Sequence, residues 1–147
     1  NDWLETLLEN SRHKLEWQGV SLAYELPDVE ISIDADEDNL STALLNILEN
    51  ASKYSESPQE ISLRLSVTDT HCHIAVTDNG IGIAKDQLPH IFKQFYRVDQ
   101  YLHRETEGCG LGLYITQHII EAHNGSIDVD SELGNGSTFT LSLPRYN

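Results

Sequence analysis

Asn46, Asn50 and Lys53 recur at i, i+4 and i+7 of a segment in which Leu40, Leu44, Ile47, Leu48 and Ala51 have the spacing of one apolar helix face. The three polar residues therefore line one edge beside the buried arc, with Tyr54 just past the end. Asparagine is a poor helix former, costing roughly a few tenths of a kcal/mol relative to alanine, so two on one edge suggest a chemical task. A carboxamide oxygen is a hard neutral ligand that suits Mg²⁺, an ion that typically accepts about one or two protein ligands and leaves phosphates to supply the rest. A solvated helix flank has the same pattern, and this segment alone leaves both readings open.

A second group, Asp78-Asn79-Gly80-Ile81-Gly82-Ile83, follows a run in which Cys72, Ile74 and Val76 alternate as a strand does. Asn-Gly after a strand is the usual signal for a tight hairpin turn. Yet no strand pattern returns after Gly82, and Ala84 to Leu88 reads as helical. The other reading is a carboxylate presented at a strand end, with two glycines letting the backbone pass close to a flat ligand. A carboxylate is acceptor-only, and the exocyclic amine of adenine is a matching donor.

Two further groups lie in a glycine-rich, charged stretch over residues 79–110. Phe92, Phe95 and Tyr96 would anchor a lid, and Arg97 would meet a phosphate through a charge-assisted hydrogen bond; a small hydrophobic cluster under a loop is the plainer account. Gly108-Cys109-Gly110-Leu111-Gly112-Leu113 opens a helix, where backbone N–H groups can face an anion. It is not a P-loop, since no Gly-Lys-Ser/Thr follows, and Leu113 stands where the dinucleotide fingerprint needs glycine. A flexible hinge would have the same composition.

The elements that must position these residues are legible in outline. Trp3, Leu4, Leu7, Leu8, Ser11 and Leu15 predict an amphipathic helix over 2–15. Val20, Leu22 and Tyr24 predict a strand, and Ile31 with Ile33 a second, shorter one. Asp36 opens the Asn46 helix, which runs to about Ser52. Ile61, Leu63, Leu65 and Val67 pair with Cys72, Ile74 and Val76 as an antiparallel hairpin. Short helical turns are expected near Asp86–Leu88 and His90–Lys93, and a helix from Leu111 to Ala122 that Asn124-Gly125 ends. Ile127 and Val129, then Phe139, Leu141 and Leu143, form a last hairpin about Gly134-Asn135-Gly136. This order predicts one α/β domain over 1–147, a two-layer α+β sandwich with about three helices on one face of a mixed, largely antiparallel sheet. A loop of about 30 residues in so compact a chain suggests a lid.

The formal net charge of −15 disfavours nucleic acid as a partner. It disfavours free nucleotides too, unless a metal and a local basic cluster such as Lys93, Arg97 and Arg104 compensate. Cys72 and Cys109 read as free thiols of a reducing compartment. His71-Cys72-His73 is a poor zinc motif, because successive strand residues face opposite ways. No apolar run reaches the roughly 18 residues that span a bilayer, so no membrane contact by this domain is expected. The absence of any Met leads us to read the chain as part of a longer protein.

Taken in order, Asn46…Asn50-Ala51-Ser52-Lys53-Tyr54, Asp78-Asn79-Gly80-Ile81-Gly82, Phe92…Phe95-Tyr96-Arg97 and Gly108-Cys109-Gly110-Leu111-Gly112-Leu113 resemble the N, G1, F and G2 boxes of sensor histidine kinases. Gly134-Asn135-Gly136-Ser137-Thr138-Phe139 is similar to the further glycine and Thr-Phe box of that family. The resemblance covers essentially the whole chain and implies the Bergerat ATP-binding fold with a long ATP lid. By motif position it implies that Asn50 ligates Mg²⁺ beside Asn46, that Lys53 lies near the phosphates, and that Tyr54 packs on the adenine. Asp78 would bind the adenine amino group, with Gly80, Gly82 and Ile83 lining the base pocket. Phe92 and Phe95 would secure the lid, and Arg97 would lean toward the γ-phosphate. Gly108, Gly110 and Gly112 would hinge the lid and present N–H groups to the phosphates, and Leu111, Leu113 and Thr138 would be among the other nucleotide-binding residues. Cys109 departs from the small hydroxyl residue often found in that box.

The resemblance also bears on the reaction. Hydrolytic members have Glu where Asn46 stands; an amide cannot act as a general base, so transfer to an external nucleophile is favoured, with Asn46 and Arg97 as the catalytic candidates. None of the seven histidines sits in a His-Asp/Glu context on an early helix. The implied partners are therefore ATP, a separate dimerisation and histidine-phosphotransfer domain of the same kinase, and a response regulator, all in the cytoplasm. A nucleotide-gated interaction module, or a serine kinase of the anti-sigma type, would share the fold.

Overall fold

The computed structural model describes residues 2–54, 59–94 and 112–146, with the Tyr54 side chain left aside. Among the described residues, three α-helices lie on one face of a five-stranded sheet. Helix α1 (Asp2–Trp17) buries Leu4, Leu8, Ser11 and Leu15, one helical face repeated over four turns. Strand β1 (Val20–Glu25) follows, then α2 (Glu37–Tyr54), β2 (Gln59–Val67), β3 (His71–Asp78), α3 (Gly112–Ala122), β4 (Ser126–Ser131) and β5 (Ser137–Pro144). The strand order is β1-β2-β3-β5-β4, with only the β1–β2 pair parallel. A parallel neighbour needs a crossover, and α2 supplies it.

Every second residue of the central strands turns to the helices: Ile61, Leu63 and Leu65 on β2; Cys72, Ile74 and Val76 on β3; Phe139, Leu141 and Leu143 on β5. They meet Leu44 and Ile47 of α2, Ile120 of α3 and Leu8 of α1, all wholly buried. Each such side chain contributes roughly 1.5–3 kcal/mol by leaving water. Burial of Cys72 also pushes its thiol pKa up, the signature of an inert core thiol.

The helix ends follow local chemistry. The Asp36 carboxylate accepts the Asn39 N–H at 3.0 Å, an N-cap that starts α2 where Asp36 predicts it. At the other end α2 runs on to Tyr54. Asn124 takes the left-handed region (φ 61°) after α3, and the Gly125 N–H returns to the Ile120 carbonyl at 2.9 Å.

One expectation needs correction. Residues 31–36 form no strand; the Ser32 carbonyl instead accepts the Tyr146 N–H at 2.8 Å, tying this segment to the chain end after β5. The short helical turns form where they are expected: the Leu88 N–H donates to the Ala84 carbonyl at 3.3 Å and the Lys93 N–H to the His90 carbonyl at 2.9 Å, with a 3₁₀ turn, Leu88–His90, between them and Pro89 near its start where no N–H is needed. Of the two readings at Asn79-Gly80, the tight hairpin turn is not formed: β3 pairs with β5, which follows much later in the chain.

Candidate functional site

Asp78 is the last residue of β3 and continues the phase of Cys72, Ile74 and Val76. Its carboxylate thus points to the helix side, where it is 6% exposed. One oxygen accepts the Gly80 N–H at 2.8 Å. Burial pushes its pKa up, while the N–H bonds from Gly80 and Ser137 pull it down and do not fully offset the burial. A buried, acceptor-only group at a strand end is well suited to a ligand's N–H.

The loop beyond Asp78 is held against the β4–β5 hairpin. Gly82 has φ 75°, and a Cβ there would stand 2.1 Å from the Glu132 carbonyl oxygen. Gly136 has φ 78°, and its Cβ would stand 2.1 Å from the Asp78 carbonyl oxygen. Both positions require glycine by conformation and by space. The Gly134 N–H donates to the Ile81 carbonyl at 2.9 Å, and the Ile83 N–H to Ser131 Oγ at 2.7 Å.

The C-terminal half of α2 reaches the same end of the sheet. Ile61 stands opposite Asp78, and the side chain of Gln59, two residues earlier, donates to the Ser52 carbonyl at 3.3 Å. Asn46, Asn50 and Lys53 are all half-buried along the α2 edge. Lys53 Nζ lies 3.8 Å from Glu49 Oε1, a partly exposed pair of little energetic weight.

Helix α3 begins against this edge. The Gly112 carbonyl accepts Asn46 Nδ2 at 3.4 Å and Thr116 Oγ1 at 2.8 Å. Thr116 is fully buried, with the Ala43 carbonyl also 3.4 Å from its hydroxyl. Thr116→Val keeps the shape and deletes the hydroxyl that links α2 to α3. We expect a loss of about 1 kcal/mol in urea unfolding; an unchanged midpoint would show that this hydroxyl does not bind the helices together.

The structure thus joins Asn46 to Gly112 between α2 and α3, and holds Asp78, Gly80, Gly82 and Ile83 against the β4–β5 hairpin; Asn50 and Lys53 share the α2 edge with Asn46, and Leu113 follows Gly112 in α3. Phe92 packs edge-on against Phe139, with ring centroids 6.4 Å apart, which holds residue 92 on the core. Thr138 is placed elsewhere: its hydroxyl meets Thr77 at 2.9 Å on the sheet face away from the helices. Strand alternation puts Ser137 beside Asp78 instead, 7% exposed and in direct register with it. Ser131 escapes a reading based on motifs, and Ser137 stands in a motif without a role assigned to it, but the signal exists. Each extends the apolar phase of its strand, Ile127-x-Val129-x-Ser131 and Ser137-x-Phe139-x-Leu141, with a hydroxyl where an apolar side chain would stand. The Tyr54 side chain, Phe95, Arg97, Gly108, Gly110 and Leu111 lie outside the described residues.

Residues 35–147 match the family described as histidine kinase-, DNA gyrase B-, and HSP90-like ATPases. The sensor-like histidine kinase SenX3 of Mycolicibacterium smegmatis is 43% identical over 144 residues, covering 92% of this chain. The sensor protein SrrB of Staphylococcus aureus is 42% identical over 110 residues, covering 75% of it. The chain spans only 36% and 19% of the lengths of these two relatives. Among solved structures, full-length ShkA in complex with AMPPNP superposes with a TM-score of 0.84 at 30% identity, over 99% of this chain and 30% of that one.

Proposed function

This chain belongs to the histidine kinase-, DNA gyrase B-, and HSP90-like ATPase family, and from that membership we propose that it is the catalytic domain of a sensor histidine kinase. On this reading it binds Mg-ATP in the cleft between α2, α3 and the end of β3. From there it passes the γ-phosphoryl group to a histidine on a separate dimerisation domain, in the cytoplasm, for onward transfer to a response regulator. The observation that carries the proposal is Asp78, a buried acceptor with one oxygen already committed to Gly80.

Asn50 offers a hard, neutral oxygen on the α2 edge, and with Asn46 beside it the residues fit Mg²⁺ shared with phosphates. When bound, the ion would neutralise phosphate charge that this acidic chain otherwise repels. Lys53 would add a cation, and Arg97 of the lid another near the γ-phosphate. Asn46 decides between transfer and hydrolysis. Its amide hydrogen-bonds the Gly112 carbonyl and has no basic oxygen to deprotonate water. Catalysis would then rest on alignment and charge stabilisation, with the nucleophile supplied by another domain.

Calorimetric titration tests the binding step. ATP should bind tightly in Mg²⁺ and weakly in EDTA, and GTP weakly in both; equal ATP and GTP affinities would refute recognition by Asp78.

A pH dependence follows from the same carboxyl. A raised folded-state pKa means that the fold carries the burial penalty above that pKa and sheds it as pH falls through it. Binding runs the other way, because protonation removes the acceptor. ATP affinity should therefore drop on acidification at a pH above the ordinary carboxylate range, while the unliganded fold loses no stability from this group. Affinity that stays flat until the usual Asp range would contradict the assignment.

A further inference from the structure

We infer that Ser131 is a positioning residue for nucleotide recognition, acting through the loop that carries Gly80 and Gly82 rather than by touching ligand; the inference rests on the ATP-binding reading above. Its hydroxyl sits at the crossing of three bonds. The Ile83 N–H donates to Ser131 Oγ at 2.7 Å, Ser131 donates to the Gly136 carbonyl at 3.0 Å, and Ser137 Oγ lies 2.7 Å away. A serine hydroxyl has one hydrogen and two lone pairs. With that hydrogen on Gly136, both lone pairs are filled by Ile83 and by the Ser137 hydroxyl, and the group is saturated.

The consequence reaches Asp78 from two sides. Ile83 ends the loop whose Gly80 N–H holds an Asp78 oxygen at 2.8 Å. Gly136 packs its Cα against the Asp78 carbonyl, and Ser137 stands in register with Asp78. One hydroxyl on β4 thereby ties the base-pocket loop to the hairpin that backs the carboxylate. Removing it strands a half-buried backbone N–H and a buried serine hydroxyl together, and the loop must move to rehydrate them. The neighbouring Gly134–Ile81 bond holds the hairpin tip but leaves Ile83 free to shift.

The test compares the unchanged domain with Ser131→Ala and Ser131→Thr, titrated with Mg-ATP and with Mg-tripolyphosphate, and followed by amide exchange at Ile83. Ser131→Ala should weaken Mg-ATP about tenfold, the equivalent of one hydrogen bond's worth of positioning. It should leave tripolyphosphate affinity unchanged, because the phosphate end is held by α2 and α3. Exchange at Ile83 should quicken about tenfold, and Ser131→Thr, which keeps the hydroxyl, should restore both values to within about twofold. Unchanged ATP affinity in Ser131→Ala, or an equal loss for ATP and tripolyphosphate, would overturn the inference alone. Failure of the unchanged domain to bind Mg-ATP would overturn it together with the reading beneath it.

Discussion

Asp78→Asn is expected to weaken ATP binding about a hundredfold, roughly 3 kcal/mol, without unfolding the domain. The Gly80 N–H would still claim the amide oxygen, as it now claims a carboxylate oxygen at 2.8 Å. That turns the new NH₂ group toward the adenine amine, setting donor against donor where an acceptor stood. The same NH₂ would face the carbonyl oxygen of guanine favourably, so GTP affinity should hold or rise. Stability separates this account from simple damage. Asp78 bears a burial penalty at neutral pH, its pKa being raised, so the neutral variant should be at least as stable. A variant that melts early, or that loses ATP and GTP equally, would show a structural role only.

Asn50→Ala is expected to erase the dependence of ATP affinity on Mg²⁺, a loss of about ten- to a hundredfold in the presence of the ion. The side chain is only half-buried on the α2 edge, so truncation opens no cavity and stability should change little. Affinity in EDTA, already low, should be the same for both proteins. If Asn50→Ala keeps the full gain from Mg²⁺, the metal is held elsewhere, and exposed Glu49, one residue earlier, becomes the next candidate.

Much of this architecture is local and therefore legible. The two-residue alternation of Ile61 to Val67 and of Cys72 to Val76 marks both strands, and Asp36 announces the start of α2. What is non-local was not. Ile31 and Ile33 alternate like a strand but lie outside the sheet, because joining a sheet depends on neighbours that sequence spacing does not reveal. The parallel β1–β2 pairing is hidden for the same reason. The site was legible where chemistry and phase agree, as at Asp78, which is both a carboxylate and the next inward residue of β3. Motif position points to Thr138, one residue past the inward-facing Ser137. Ser131 lies in no box at all, and only the hydrogen bonds around it give it meaning.

The central claim is phosphoryl transfer from this cleft to a histidine of another domain. The most direct measurement incubates the domain with Mg²⁺, γ-labelled ATP and a separately purified helical hairpin bearing the acceptor histidine of the same kinase. Acid-labile, base-stable label is expected on that histidine and almost none on this chain alone. Acid-stable phosphoserine, release of free phosphate without transfer, or ATP binding with no labelled hairpin would contradict it.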